Sequence, residues 1–252
     1  IAAEACGAAH GRVLFCVDVF GRTRERFLEL YEQQPEGERV DPLGEWLEGY
    51  ARKYGFEFSE DLVTGQFTVD QIPPSLGGRA RGLEYVPMRY VPYGGRAVVP
   101  EWLRGPAERR RVALTLGLSA TEIFRGYTVD VREVLMALGG VDAEIVATVP
   151  EVEQERVGPV PENVRMVSFV PWRDLVATCD AVVHHAGAAS LATTALYPVP
   201  HLSLHYHFDQ PYLARRLAEH GAGLELHTSE VTGEAVREAV DRLLDEPVFG
   251  ER

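Results

Sequence analysis

The sequence predicts an α/β protein, with a nearly complete Rossmann-like parallel sheet in its second part and a less complete α/β unit in its first. Three observations predict it. From Arg111 onward, strand-length apolar runs alternate with segments of helical period, a rhythm that implies βαβ crossovers and parallel strands. The strand "AVVHHAG" passes into a helix through a run of small residues, as turns at the carboxyl edge of such sheets do. No apolar run reaches the length needed to cross a bilayer, which argues against a membrane protein.

In chain order, "GRVLFCVDVF" (11–20) reads as a buried strand. "DPLGEWLEGYARKYG" (41–55) places Leu43, Trp46, Leu47 and Tyr50 at helical spacing, with Asp41 as cap and Pro42 at the first helical position. "DLVTGQFTVDQIPPSL" gives a short strand stopped by Pro73 and Pro74, and "GLEYVPMRYVPYGG" another whose prolines suit an edge. Pro, Gly and charges cluster in "VVPEWLRGPAERR", which marks a linker at 104–108 between domains at 1–103 and 109–252. Strands then follow at "RVALTLG", "AEIVATV", "VRMVSFV", "AVVHHAG" and "VPHLSL", with helices at "TVDVREVLMALGG", "WRDLVATC", "SLATTALYP" and "QPYLARRLAEHGAG". Arg109, Arg110 and Arg111 open the first of these strands and read as a solvated edge.

The formal charge of −13 at pH 7 argues against nucleic acid as a partner, because neutralising phosphates takes clustered Lys and Arg. Cys6, Cys16 and Cys179 are odd in number, widely spaced and without a C-x-x-C pair, so a reducing, cytoplasmic compartment is expected. The start "IAAEACGAAHG" lacks a signal peptide's basic and apolar regions and carries no initiator Met. The chain is expected to begin within a longer protein.

The chemistry concentrates in "CDAVVHHAGAASLATTALYPVPHLSLHYHFDQP", residues 179–211. Small residues at 186–189 let a ligand approach the backbone, and Ser190 stands where an N-cap is expected, before a helix that Pro198 must end. Amides at a helix start favour an anion such as a diphosphate, and His184 or His185 can add a hydrogen bond. The same turn also suits plain helix-to-strand packing. Asp209 and Gln210 can hold sugar hydroxyls, or serve as a cap and first turn. His201, His205 and His207 raise a metal site, but no fourth ligand at recognisable spacing accompanies them apart from Asp209, and none is expected. "GAAS" falls short of a serine hydrolase's G-x-S-x-G, and "TLGLSATE" supplies only one glycine of a dinucleotide fingerprint.

"FVPWRDLVATCDAVVHHAGAASLATTA" followed by "FDQPYLARRLAEHGAGL" resembles the nucleotide-sugar half of bacterial GT-B glycosyltransferases that decorate antibiotics. "DPLGEWLEGYARKYGFEF", "TVDQIPPSL" and "EYVPMRYVPYGG" resemble the narrower group that attaches deoxysugars, often aminosugars, to macrolide or anthracycline aglycones. The resemblance covers essentially the whole chain. It implies a GT-B fold, with 1–103 as the latter part of an acceptor-binding domain and 109–252 as the nucleotide-sugar-binding domain. It implies an inverting transfer from a dTDP-sugar, a co-substrate rather than a cofactor, to a hydroxyl of an apolar polyketide aglycone. A haem-less monooxygenase-like activator is a further partner the resemblance implies.

Carried over by position, the stretch "FVPW" (Phe169 to Trp172), Val170 and Pro171 above all, lies against the base. His184 contacts the diphosphate, with His185 beside it, and Gly187, Ala188, Ala189 and Ser190 supply backbone and hydroxyl donors. Asp209 and Gln210 hold the sugar, and Gly117 and Ser119 face the cleft. Ala186 and Ala189 replace glycines of the family's pattern, and Ser190 replaces its Thr. The catalytic base of the family is a His in a region this sequence does not contain, as is the usual C-terminal helix, so no residue here takes the base's role. The competing reading is a nucleotide-diphosphate-binding fragment or pseudoenzyme without turnover.

Overall fold

A computed structural model of the chain describes residues 1–117 and 126–250. They form two compact units, Ile1–Tyr90 and Val91–Arg252.

The first unit contains α1 (Ala2–Ala5), β1 (Gly11–Val13), α2 (Val19–Glu32), α3 (Pro42–Lys53), α4 (Asp61–Thr64), β2 (Phe67–Asp70) and β3 (Tyr85–Pro87). Its strands form a parallel sheet in the order β1-β2-β3. The long strand expected at 11–20 stops at Val13 because Asp18 turns the chain into a helix. Its carboxylate accepts from the Gly21 N–H at 2.8 Å, from Arg12 at 2.9 and 2.8 Å, and from the Tyr85 hydroxyl at 2.6 Å. Burial raises the carboxyl's pKa, but these hydrogen bonds outweigh it and hold it below the usual range. The cap at Asp41 and the first-turn Pro42 form as read, with the Gly44 N–H donating to Asp41 at 3.0 Å. Arg24, buried, clamps Asp41 and Glu60 through paired hydrogen bonds of 2.6 to 2.9 Å, tying α2 to the starts of α3 and α4.

The second unit contains β4 (Arg111–Thr115), α5 (Val131–Leu138), β5 (Glu144–Thr148), α6 (Glu151–Val157), β6 (Val164–Val167), α7 (Trp172–Val176), β7 (Ala181–His184), α8 (Ala188–Thr194), β8 (His201–His205), α9 (Gln210–Glu219), β9 (Gly223–His227) and α10 (Gly233–Asp245). All six strands are parallel, in the order β6-β5-β4-β7-β8-β9. Alternate strand residues enter opposite layers. Val112, Leu114, Ile145, Val183 and Leu202 pack with α5 and α10, whereas Ala113, Val146 and Val182 pack with Leu175 and Val176 of α7.

Three expectations are corrected here. Arg111 is buried rather than a solvated edge, because β4 lies mid-sheet and its guanidinium bonds Glu144 at 2.8 Å and Thr178 at 2.7 Å. The boundary falls at Tyr90/Val91 rather than in a linker at 104–108, since Val99, Trp102 and Leu103 join the core of the second unit. The helix read at "SLATTALYP" spans Ala188–Thr194, with Gly187 rather than Ser190 at the N-cap. The turn therefore comes earlier, leaving Ser190 within the first helical turn.

Candidate functional site

The strand order gives the second sheet a switch point. From β4 the chain winds outward through β5 and β6, then returns to place β7 on the other side of β4. Helices on the two sides diverge there, and the gap beyond the carboxyl ends of the strands is where ligands of such sheets bind. A cavity of about 170 Å³ lies there, lined by Gly117 after β4, Thr148 of β5, Val170 and Trp172 after β6, and Ser190 of α8. Five residues named from the sequence, Gly117, Phe169, Val170, Trp172 and Ser190, thus share one cavity. Ser168 in its wall was missed. "VRMVSFV" reads as one continuous strand, whereas β6 ends at Val167 and releases 168–170 as a loop.

Trp172 is fixed at the indole edge. Its Nε1–H donates to the Ser190 carbonyl at 3.4 Å and to Thr194 Oγ1 at 3.3 Å, joining α7 to α8. Pro171 is buried and caps α7 by position. Ser119 lies outside the described residues.

Beyond β7, the turn begins with two histidines that do different things. His184 is fully buried. Its Nδ1 accepts from the Ala186 N–H at 2.9 Å, and its Nε2 meets His201 Nδ1 at 2.8 Å. Both ring nitrogens are engaged inside the protein, which corrects the diphosphate contact expected of His184. The neighbouring His185 is only partly buried, and its ring lies over the two flanking glycines. A Cβ on Gly117 would come within 2.6 Å of His185 Cε1, and one on Gly187 within 2.2 Å of His185 Nε2. Both positions must therefore lack side chains for His185 to sit where it does, and Gly117 also has a φ of +72°. Burial lowers the pKa of His185, with the Thr115 backbone opposing, so the ring is neutral at physiological pH.

Gly187 is the N-cap of α8, Ala188 is buried and Ala189 exposed. Among the described residues, two that are not glycine have positive φ, Ala186 and Phe208, both at +58°. They stand in the loops after β7 and β8, beside His185 and Asp209 respectively. Strained backbone placed at both candidate turns is the pattern expected of a ligand site.

Asp209 is buried and occupies the N-cap position of α9, but its side chain makes no capping bond. Gln210 uses Oε1 to accept from the N–H groups of Tyr206 at 3.0 Å and His207 at 3.3 Å, so its amide orients the loop ahead of the helix. Of the three histidines weighed for a metal site, where none was expected, His205 faces Glu225 at 3.2 Å. Among the described residues no group of three or more His, Cys, Asp or Glu is arranged to hold a metal ion.

Comparison with known proteins gives this geometry a family. The model for the N-terminal domain of "Erythromycin biosynthesis protein CIII-like" proteins matches residues 1–117, and the C-terminal one 132–252. The chain belongs to that family. Among similar proteins is 10-deoxymethynolide desosaminyltransferase of Streptomyces venezuelae, 45% identical over 98% of this chain and 58% of the relative. Aclacinomycin-T 2-deoxy-L-fucose transferase of Streptomyces galilaeus is 43% identical over 100% of this chain and 57% of its own length. The solved glycosyltransferase VinC in complex with dTDP superposes with a TM-score of 0.87 at 37% identity, covering 99% of this chain and 62% of VinC. The fold is that of GT-B glycosyltransferases. The chain spans 58% and 57% of the lengths of these two curated relatives.

Proposed function

We propose that the chain is part of an inverting glycosyltransferase that moves a deoxysugar from a dTDP-sugar to a hydroxyl of a polyketide aglycone of macrolide or anthracycline type. The cavity at the switch point is the observation that carries this reading, because Val170 and Trp172, assigned to the nucleotide base from the sequence, line it together with Gly117 and Ser190. At about 170 Å³ it is small for a whole ligand and suits one ring. The polar groups beyond it then serve the diphosphate and the sugar.

In such a transfer the acceptor oxygen forms a bond to the anomeric carbon while the bond to the diphosphate breaks, and its electron pair leaves with the diphosphate. Fixed dipoles aimed at that growing charge lower the barrier. The backbone of Gly187–Ser190 supplies such dipoles, and His185 replaces His184 as the imidazole donor beside them. Asp209, buried at the start of α9, is assigned to the sugar hydroxyls with Gln210. No residue of this chain is assigned as the base that deprotonates the acceptor. The family resemblance also supports an aminosugar among the donors and an activator protein as partner.

Calorimetric titration with dTDP tests the reading. The parent chain binds one dTDP, and His185→Ala weakens binding by about 10- to 100-fold, the range for a hydrogen bond to a charged group. Equal affinities for parent and variant contradict the assignment.

A further inference from the structure

Beneath the turn lie two buried imidazoles that the proposed chemistry does not use. His184 and His201 are 0% and 2% exposed, their rings edge to face with centroids 5.0 Å apart. They come from adjacent strands, where Val182 pairs with His201 and His184 with Ser203, so both project from the same face of the sheet.

The hydrogen bonds fix the protons. Because the Ala186 N–H donates to His184 Nδ1, that nitrogen carries no proton and the neutral ring bears it on Nε2. Among the described residues, the partner placed to accept from that Nε2–H is His201 Nδ1, at 2.8 Å. His201 therefore carries its own proton on Nε2. Burial keeps both rings neutral, lowering the pKa of His201 to about 4. A one-way relay runs from the Ala186 amide through His184 to His201. Its upper end holds Ala186, whose left-handed φ of +58° is strained for a residue with a Cβ.

We propose that His201 is a positioning residue, which acts through His184 to hold Ala186 in its left-handed conformation and thereby sets the amides of 187–190 for the donor's diphosphate. The proposal rests on the donor-site reading above. Position 201 then requires a hydrogen-bond acceptor, and size or apolarity alone does not satisfy it.

The test compares the parent with His201→Leu and His201→Gln, titrating each with dTDP and with thymidine. Leu leaves the His184 proton without an acceptor, whereas the Gln carbonyl supplies one. Expected are a loss of about tenfold in dTDP affinity for His201→Leu, recovery to within about threefold for His201→Gln, and thymidine affinity unchanged in both. Leu binding dTDP like the parent, Gln failing to restore it, or thymidine and dTDP weakening in parallel each overturns the proposal. Should His201→Leu not fold, nitrogen-15 NMR of the parent's imidazoles decides, since His184 protonated on Nδ1 contradicts the relay and on Nε2 supports it. A parent that binds neither thymidine nor dTDP overturns the donor-site reading itself, an outcome distinct from a parent that binds dTDP and a Leu variant that binds it equally.

Discussion

Adjacent residues at a strand end face opposite ways, and in "HH" this separates a structural imidazole from one at the ligand turn. Buried and neutral, His184 and His201 prefer the folded state only while unprotonated. The folded pKa of His201, about 4, lies below the ordinary value of 6.5, so between these values the unfolded chain binds more protons. Stability from this group is complete above about pH 6.5 and falls by about 1.4 kcal/mol per unit as pH drops, reaching roughly 3 kcal/mol near pH 4. Urea unfolding across that window should show a steeper decline for the parent than for His201→Gln, and parallel declines contradict it. Asp209→Asn should narrow the affinity gap between a dTDP-sugar and dTDP while leaving dTDP itself within about twofold, read by competition binding. Lower stability with that gap unchanged assigns Asp209 to the helix alone. The sequence located this turn, because small residues between a strand and a helix are conspicuous. It did not show which histidine faces out, since that depends on His201, seventeen residues further along and on another strand.

Among the elements, local chemistry decided what was legible. Asp41 before Pro42 and the apolar spacing of α3 were readable because cap and face lie within one segment. The end of β1 was not, because Asp18 is held by Arg12 and by Tyr85, a residue distant in sequence. Runs of apolar residues from 11 to 20 look like one strand until that tertiary clamp is known. Asp18→Ala should destabilise the chain by about 2–4 kcal/mol, removing a cap and leaving Arg12 and Tyr85 without their shared carboxylate. Thermal unfolding measures this, and a change below about 0.5 kcal/mol would place it among ordinary surface substitutions. The helices α2, α6 and α10 and the strand β9 also went unread, although Thr232 caps α10 at 3.1 Å and Val236, Val240 and Leu243 repeat at helical spacing behind it.

On the scale of the whole chain, the alternation of strands and helices after Arg111 was sufficient to predict a parallel sheet, since no other arrangement joins such elements so closely. It did not give the strand order, and the order creates the switch point where the cavity opens. The boundary near residue 90 was hidden for a related reason. The Pro- and Gly-rich segment reads as linker, yet Trp102 and Leu103 are anchored in the core of the second unit. With a formal charge of −13, the chain offers no broad basic surface, and the proposed function therefore assigns the anionic donor to amides and an imidazole at one place. The most direct test of that idea is a crystal structure of the chain with dTDP. The thymine ring should lie against Val170 and Trp172, with diphosphate oxygens within hydrogen-bond distance of the 187–190 amides and of His185. A base bound elsewhere, or a diphosphate that leaves those amides untouched, would contradict it.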